Sequence, residues 1–196
     1  LIRMTPETLA RQIKEKALEL KFTAAGICPA SAVDRRRHEL SRWLQKGLPA
    51  NLDYMENFFT RQQRLLDSFK DLRSILVLAI SYGEGATQES TKPLGASGKI
   101  ARYAVGRDYH KAIQKRLKQL ESFIRSEADP STRLLHTVDT SPIQERALAE
   151  SAGLGFIGKN TCLILPKGGS FVFLAAILMN LDLPADEPLG WDCGNC

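Results

Sequence analysis

Apolar residues along this chain recur in two rhythms, one of helices and one of strands. Leu9, Ile13, Ala17 and Leu20 share one helical face over residues 6–21, with Thr5 as N-cap and Pro6 at the first position. Residues 32–46 predict a second helix, with Leu40, Trp43 and Leu44 apolar and Arg35, Arg36 and Arg37 exposed. Residues 52–59 extend the helical pattern, and a long helix capped by Asp108 turns Tyr109, Ile113, Leu117, Leu120 and Ile124 inward. Strands are expected over residues 22–28, 133–139, 161–165 and 170–179. The clearest strand is 74–82, an unbroken apolar run rich in β-branched residues, as a strand buried on both faces requires. Residues 83–98, rich in Gly, Ser and Thr, form a loop. Helices and strands alternate at uneven spacing, so the expected architecture is α/β or α+β: a mixed layered sheet flanked by helices.

A short helix is predicted over residues 142–152. Ser141 is its N-cap, Pro142 stands at its first position, Gln144 completes a capping box, and Gly153 is the glycine beyond its end. This decides how the next residues are read. Gly153, Gly155 and Gly158 spell G-x-G-x-x-G, and Gly153 to Asn160 falls one residue short of a P-loop. Both nucleotide motifs need a strand before the glycines and a helix after them, so that helix amides meet phosphate. Here a helix precedes and a β-rich run follows. Both nucleotide readings are rejected, and with them a doubly wound nucleotide-binding fold.

Composition adds bounds rather than identity. The chain has 196 residues, 43% hydrophobic and 25% charged, enough for one domain with a sizeable core. No apolar run is long enough to span a membrane, and the polar, amphipathic start is not a secretory signal. The first residue is Leu1 rather than Met, which points to a partial start. The net charge of +5 permits a polyanionic partner without requiring one.

Of the four cysteines, Cys28 and Cys162 sit in apolar stretches and read as buried thiols. Cys193 and Cys196 form C-x-x-C after a polar loop, which suits half a zinc site, a redox pair or the opening of an iron–sulfur run. Asp139 ends a strand just before a helix, either capping the next turn or serving as an acid at a sheet edge. If desolvated there, its carboxyl would hold a proton near neutral pH. Between Lys99 and Lys111, the cations Lys99, Arg102, Arg107 and Lys111 interleave with Tyr103 and Tyr109, a pattern suited to phosphate and base-stacking contacts or to a solvated helix start. His38, His110 and His136 have no second histidine or acid pair at ligand spacing, so no zinc hydrolase site or Ser-His-Asp arrangement can be assembled.

Taken in order, five segments resemble epoxyqueuosine reductases: Lys99-Ile-Ala-Arg-Tyr-Ala-x-Gly-Arg-Asp-Tyr-His110, Val138-Asp139-x-x-Pro142-x-x-Glu145-Arg-Ala, Ala152-Gly-Leu-Gly-Phe-Ile-Gly-Lys-Asn-Thr161, Gly169-Ser-Phe-x-Phe-Leu174 and Cys193-Gly-x-Cys196. Leu52-Asp-Tyr-Met55 and Arg64 also match, although Leu65-Leu-Asp67-Ser replaces the Asp-Pro pair that follows this arginine in the family. The resemblance implies an enzyme that reduces the epoxide of epoxyqueuosine in tRNA, using cobalamin and two 4Fe–4S clusters fed by an external electron donor. It makes Asp139 the proton donor. Arg64, Tyr103, Asp139, Asn160, Thr161, Leu163 and Leu165 become cobalamin contacts, and the Gly153–Gly158 turn becomes backbone pressed against a planar ring. Cys193 and Cys196 become metal ligands of a cluster.

On this basis residues 1–182 are expected to form the cobalamin-binding catalytic domain, and residues 183–196 a linker and the first C-x-x-C of an iron–sulfur module. The family's further cluster cysteines and helical repeats would follow Cys196, so the chain is expected to be a truncated form with no catalysis of its own. A cytoplasmic monomer with no membrane partner is the matching expectation. Two rivals stand beside it: another cobalamin and iron–sulfur reductase of the reductive dehalogenase type, or a non-catalytic tRNA-binding or electron-transfer module.

Overall fold

The computed structural model describes residues 4–83, 98, 100–104, 108–139 and 141–195. Its centre is a four-stranded sheet of order β1-β2-β6-β3, built from β1 (Ala24–Pro29), β2 (Ser74–Ser81), β3 (Leu134–Thr137) and β6 (Val172–Met179). All three pairings are antiparallel, which places the layered sheet on the α+β side of the expectation. The 74–82 run is the interior strand β2, hydrogen-bonded to β1 on one side and to β6 on the other.

Alternation along these strands builds two cores. Leu76 and Leu78 of β2 with Ala175, Ile177 and Met179 of β6 face α1 (Pro6–Glu19) and α4 (Tyr109–Glu127). Ile75, Val77 and Ala79 with Ala176 and Leu178 face the opposite way, toward Ala32, Val33, Phe69, Leu148 and Leu163. That second layer carries α2 (Ser31–Gln45), α3 (Tyr54–Ser68), α5 (Glu145–Ser151) and a small hairpin of β4 (Phe156–Ile157) with β5 (Leu163–Ile164).

The α1 and α4 caps form as predicted. Thr5 Oγ1 accepts from the Thr8 N–H at 3.3 Å, and Asp108 Oδ1 from the His110 N–H at 3.0 Å. Four corrections concern the other layer. Helix α3 runs to Ser68, well past residue 59, because Leu65 and Leu66 pack on the second core. Helix α5 starts at Glu145 rather than Pro142, and no side chain caps it: Gln144, expected to close the capping box, instead accepts from buried Gln62 at 2.7 Å. Arg36 and Arg37 are half-buried rather than exposed. Arg36 bonds Glu39 and Glu150 at 3.0 Å each, and Arg37 pairs with Gln63 and Asp34. Cys28 is buried as expected, but Cys162 is only half-buried.

The end of α5 fits its prediction in detail. Gly153 has φ +71°, its N–H reaches the Glu150 carbonyl and the Leu154 N–H reaches Ala149, the paired bonds of a Schellman cap with Leu154 buried beyond it. No helix follows the glycines; β4 does, as the rejection of the nucleotide motifs requires. At Gly153 and Gly155 the missing side chain lets the protein's own backbone approach closely. A Cβ on Gly153 would lie 2.5 Å from the Glu187 carbonyl oxygen, and one on Gly155 would collide with that of Ile164.

The segment after β6 returns along the free edge of β1. Asp186 donates its N–H to Ile27 O and accepts the Ile27 N–H on its carboxylate, both at 2.8 Å, while Lys14 pairs with the other oxygen at 2.6 Å. A strand edge that would otherwise offer unpaired groups is thereby closed.

Candidate functional site

The site grows from the short passage between β3 and α5. Asp139 stands just past β3 with φ +57°, a left-handed backbone that aspartate tolerates better than most residues. Its carboxylate is largely exposed, with Oδ2 accepting from the Tyr109 hydroxyl at 3.1 Å. Tyr109 is fixed by stacking: its ring lies 3.9 Å from Phe173 at an interplanar angle of 8°, with His110 on it at 4.0 Å. Burial, then the hydrogen bond to Asp139, pushes the Tyr109 hydroxyl up to about 12, so it remains a donor at neutral pH.

His110 is not isolated, contrary to the sequence expectation. Its Nδ1 lies 3.0 Å from Asp108 Oδ1 and its Nε2 3.7 Å from Asp139 Oδ2. The helix start at Tyr109 turns it toward Asp139, 29 residues away in sequence. His136 likewise has an acid partner, Glu121 at 3.1 Å, and His38 bonds the Asp34 carbonyl at 2.7 Å.

Two adjoining hollows meet at Asp139. One of about 380 Å³ is bounded by Tyr109, Val172, Phe173 and Leu174. The other, about 510 Å³, is walled by Leu40 of α2, Tyr54, Met55 and Phe58 of α3, and Ile143, Ile157 and Thr161. Asp139, Glu145 and Arg146 line both and form the ridge between them. Glu145 is the residue that sequence reasoning missed. Burial, reinforced by the Asp139 charge, pushes its carboxyl up from the usual 4.5 to about 7, and its buried Oε1 has no hydrogen-bond partner. An acid opening a helix whose next turn is the core run Ala147-Leu148-Ala149 was the available signal.

The remaining expected contacts are dispersed. Thr161 lies in the wall with φ +64°, its carbonyl held by Arg146 Nη1 at 2.5 Å. Asn160 turns its Oδ1 inward to the Cys162 N–H at 3.1 Å. Leu163 and Leu165 are buried in the second core, so their side chains face away from the hollows and only their backbone is available to a ligand. Tyr103, in the 3-10 turn Arg102–Ala104, is exposed and lies near Tyr82 and Tyr109. Arg64 is exposed on α3 and is not among the residues lining either hollow.

Cys193 and the Gly158–Lys159 turn are in contact: the Lys159 N–H points to Cys193 Sγ at 3.2 Å. Cys196, Lys99 and Arg107 lie outside the described residues. Among the described residues no group of three His, Cys, Asp or Glu side chains is arranged to hold a metal ion. The described residues do not complete a cluster site. Lys111, Lys115 and Lys118 share the outer face of α4 around a shallow groove, retaining part of the expected basic surface.

The fold and site define a class first. Over 99% of its length the chain superposes on 22% of a reductive dehalogenase whose structure bears on B12-dependent dehalogenation, with a TM-score of 0.60; at 17% identity this shows a shared fold. The family is narrower. Residues 63–140 match the family model "Epoxyqueuosine reductase QueG, DUF1730". The epoxyqueuosine reductase of Gloeobacter violaceus is 42% identical over 188 residues, which are 95% of this chain and 57% of that protein. The structure of epoxyqueuosine reductase from Streptococcus thermophilus superposes with a TM-score of 0.79 at 26% identity, over 95% of this chain and 50% of that one. A further epoxyqueuosine reductase, crystallised with an epoxyqueuosine-modified tRNA-Tyr stem loop, gives 0.77 at 26% identity, over 98% and 50%. The chain belongs to the epoxyqueuosine reductase family and spans a little over half the length of the curated relative.

Proposed function

We propose that this chain is the cobalamin-binding part of an epoxyqueuosine reductase, with Asp139 as the acid that protonates the epoxide oxygen of the modified base in tRNA. The observation that carries this reading is an acid held in a left-handed backbone at the meeting of two hollows, in a chain 42% identical to a reductase of that name. Residues 1–182 would form the cofactor-binding unit, and residues 183–196, with Cys193 and Cys196, would open the iron–sulfur part.

The residues around the hollows fit a large ligand with an apolar ring and amide fringe. Leu40, Met55, Phe58 and Ile143 supply the apolar wall for such a ring. Tyr103, Asn160, Thr161 and the backbone at Leu163 and Leu165 would hold the cofactor's rim, with Arg64 reaching it from α3. Bound there, cobalamin would supply the reducing electrons. The chain's own contribution is orientation and a proton. Tyr109 directs the Asp139 carboxyl, the stack on Phe173 keeps Tyr109 in place, and His110 with Asp108 connects Asp139 to solvent protons. The tRNA would lie across the lysine face of α4, where phosphate contacts make binding fall with salt. A tRNA substrate would suit a cytoplasmic protein.

Incubating the full gene product with cobalamin, a one-electron reductant and epoxyqueuosine-containing tRNA, followed by mass spectrometry of the nucleosides, is the test. Conversion to queuosine that Asp139→Asn abolishes supports the reading. Absence of conversion by a cobalamin-loaded wild-type protein refutes it.

A further inference from the structure

Reduction of an epoxide to an alkene takes up two electrons and two protons, and the oxygen leaves as water. Asp139 can deliver one proton and is then a carboxylate. Its described contacts, the Tyr109 hydroxyl and the more distant His110 ring, are a poor acid and a group that faces solvent. A proton store inside the site would supply the second proton without a wait for solvent.

Glu145 sits where such a store is needed. It lines both hollows beside Asp139, and one carboxyl oxygen is buried with no partner in the protein. We propose that Glu145 is the second acid of this site, passing its proton to the Asp139 carboxylate after Asp139 has protonated the epoxide oxygen. The step balances: the Glu145 O–H bond breaks, the Asp139 O–H bond forms, and Glu145 is left as a carboxylate that recovers a proton from solvent. This deepens the proposed reductase function and rests on it.

The surroundings support a proton-carrying Glu145. A carboxylate in the first turn of a helix is ordinarily favoured by the amide dipoles. Here that effect is outweighed, since burial comes first among the causes that push this carboxyl up to about 7. The charged and titratable groups around it are Asp139 from the end of β3, Tyr109 from α4, Tyr54 from α3, and its neighbour Arg146. The Asp139 charge raises the Glu145 value and the Arg146 charge lowers it, and the cation is the weaker influence. Arg146 is committed to the Thr161 carbonyl at 2.5 Å. Backbone N–H groups at Glu145 and Asp139 favour the anion, yet Oε1 itself stays without a partner, and a buried unpartnered oxygen costs less on a neutral acid than on an anion.

The experiment compares Glu145→Gln, Glu145→Asp, Asp139→Asn and the double variant Glu145→Gln/Asp139→Asn in the full gene product, loaded with cobalamin and assayed on epoxyqueuosine-containing tRNA from about pH 5.5 to 8.5. Glu145→Gln is nearly isosteric, and retained cobalamin absorption reports that the fold and the cofactor site survive. The expected result is a fall in kcat of roughly 10- to 100-fold with KM unchanged, within the usual range for an acid–base group. Loss of the pH dependence centred near 7 and partial rescue by Glu145→Asp should accompany it. The double variant should be no slower than Asp139→Asn, because the two acids act in series. Difference infrared spectroscopy reads the proton directly: the protonated-carboxyl band that titrates near 7 in the wild type should persist in Asp139→Asn, titrating at lower pH without the Asp139 charge, and vanish in Glu145→Gln.

Wild-type kcat and pH profile in Glu145→Gln, additive losses in the double variant, or no such band would each overturn the relay. Failure of the loaded wild-type protein to convert its substrate, with the band present, would overturn the function and the relay together while leaving a protonated Glu145 standing. Turnover by wild type and Glu145→Gln alike would overturn the relay alone.

Discussion

The two faces of the sheet are built from the same strands yet differ in how completely they are packed. On one, α1 buries Leu9, Ala10, Ile13 and Ala17, and α4 buries Ile113, Leu117, Leu120 and Ile124, each a regular stripe along a capped helix. On the other, the fully buried residues of α2 are Ala32 and Val33 at its start, and that of α3 is Gln62, a polar side chain. Arg36 Nε, Arg37 Nε, Gln62 Oε1 and Glu145 Oε1 are buried on this face without partners, and the left-handed residues Asp139 and Thr161 border its hollows. The first face spends its residues on stability. The second leaves apolar wall and polar atoms unsatisfied, which is costly unless a ligand completes them.

Four substitutions probe this division, in order of expected effect. Asp139→Asn should lower substrate turnover by the full gene product about 100- to 10,000-fold. Asparagine tolerates the left-handed backbone, so stability should change by less than about 0.5 kcal/mol. A melt displaced by several degrees would mean that Asp139 is structural and would dissolve the contrast at its centre. Leu120→Ala, on the opposite face, should do the reverse: unfolding free energy from urea titration should fall by about 2–5 kcal/mol with cobalamin affinity per folded molecule unchanged. Selective loss of cobalamin binding by folded Leu120→Ala would show that the faces are coupled.

The third prediction concerns pH. Glu145 holds its proton more tightly folded than unfolded, with its carboxyl raised from 4.5 to about 7. Its contribution is therefore fully present below about pH 4.5 and is lost as pH rises to about 7. At roughly 1.4 kcal/mol per unit, the loss is about 3 kcal/mol. Glu145→Gln should remove this slope and make the protein more stable than wild type at pH 8, a gain in stability where function is lost. Parallel stability–pH curves for the two proteins would contradict it. The smallest effect belongs to the packed face: Asp108→Ala removes the α4 cap and should cost about 1 kcal/mol in a thermal melt. A much larger effect would indicate that the Asp108–His110 contact supports Asp139 as well as the helix.

Much of the packed face was legible in the sequence, because its information is local. Leu117, Leu120 and Ile124 mark a helical stripe, Asp108 and Thr5 mark starts, and the unbroken apolar run of β2 marks burial on both sides. The glycine after α5 was legible for the same reason: a left-handed residue at a helix end satisfies carbonyls only a few residues away. The family was readable from ordered motifs.

What the sequence determined by itself was thus the type and order of most elements, the two-sided burial of β2 and the place of the acid Asp139 just past a strand end. What only the tertiary structure decided was which groups meet that acid. Tyr109 and His110 reach Asp139 across 30 and 29 positions, and Gln62 takes Gln144 from its expected cap across 82. Glu145 becomes a proton-holding group only because folding removes water from around it. Periodicity records how each segment divides its residues between core and solvent. It carries no record of which segment will stand opposite, and desolvation, charge pairing and the opening of a hollow are properties of that juxtaposition.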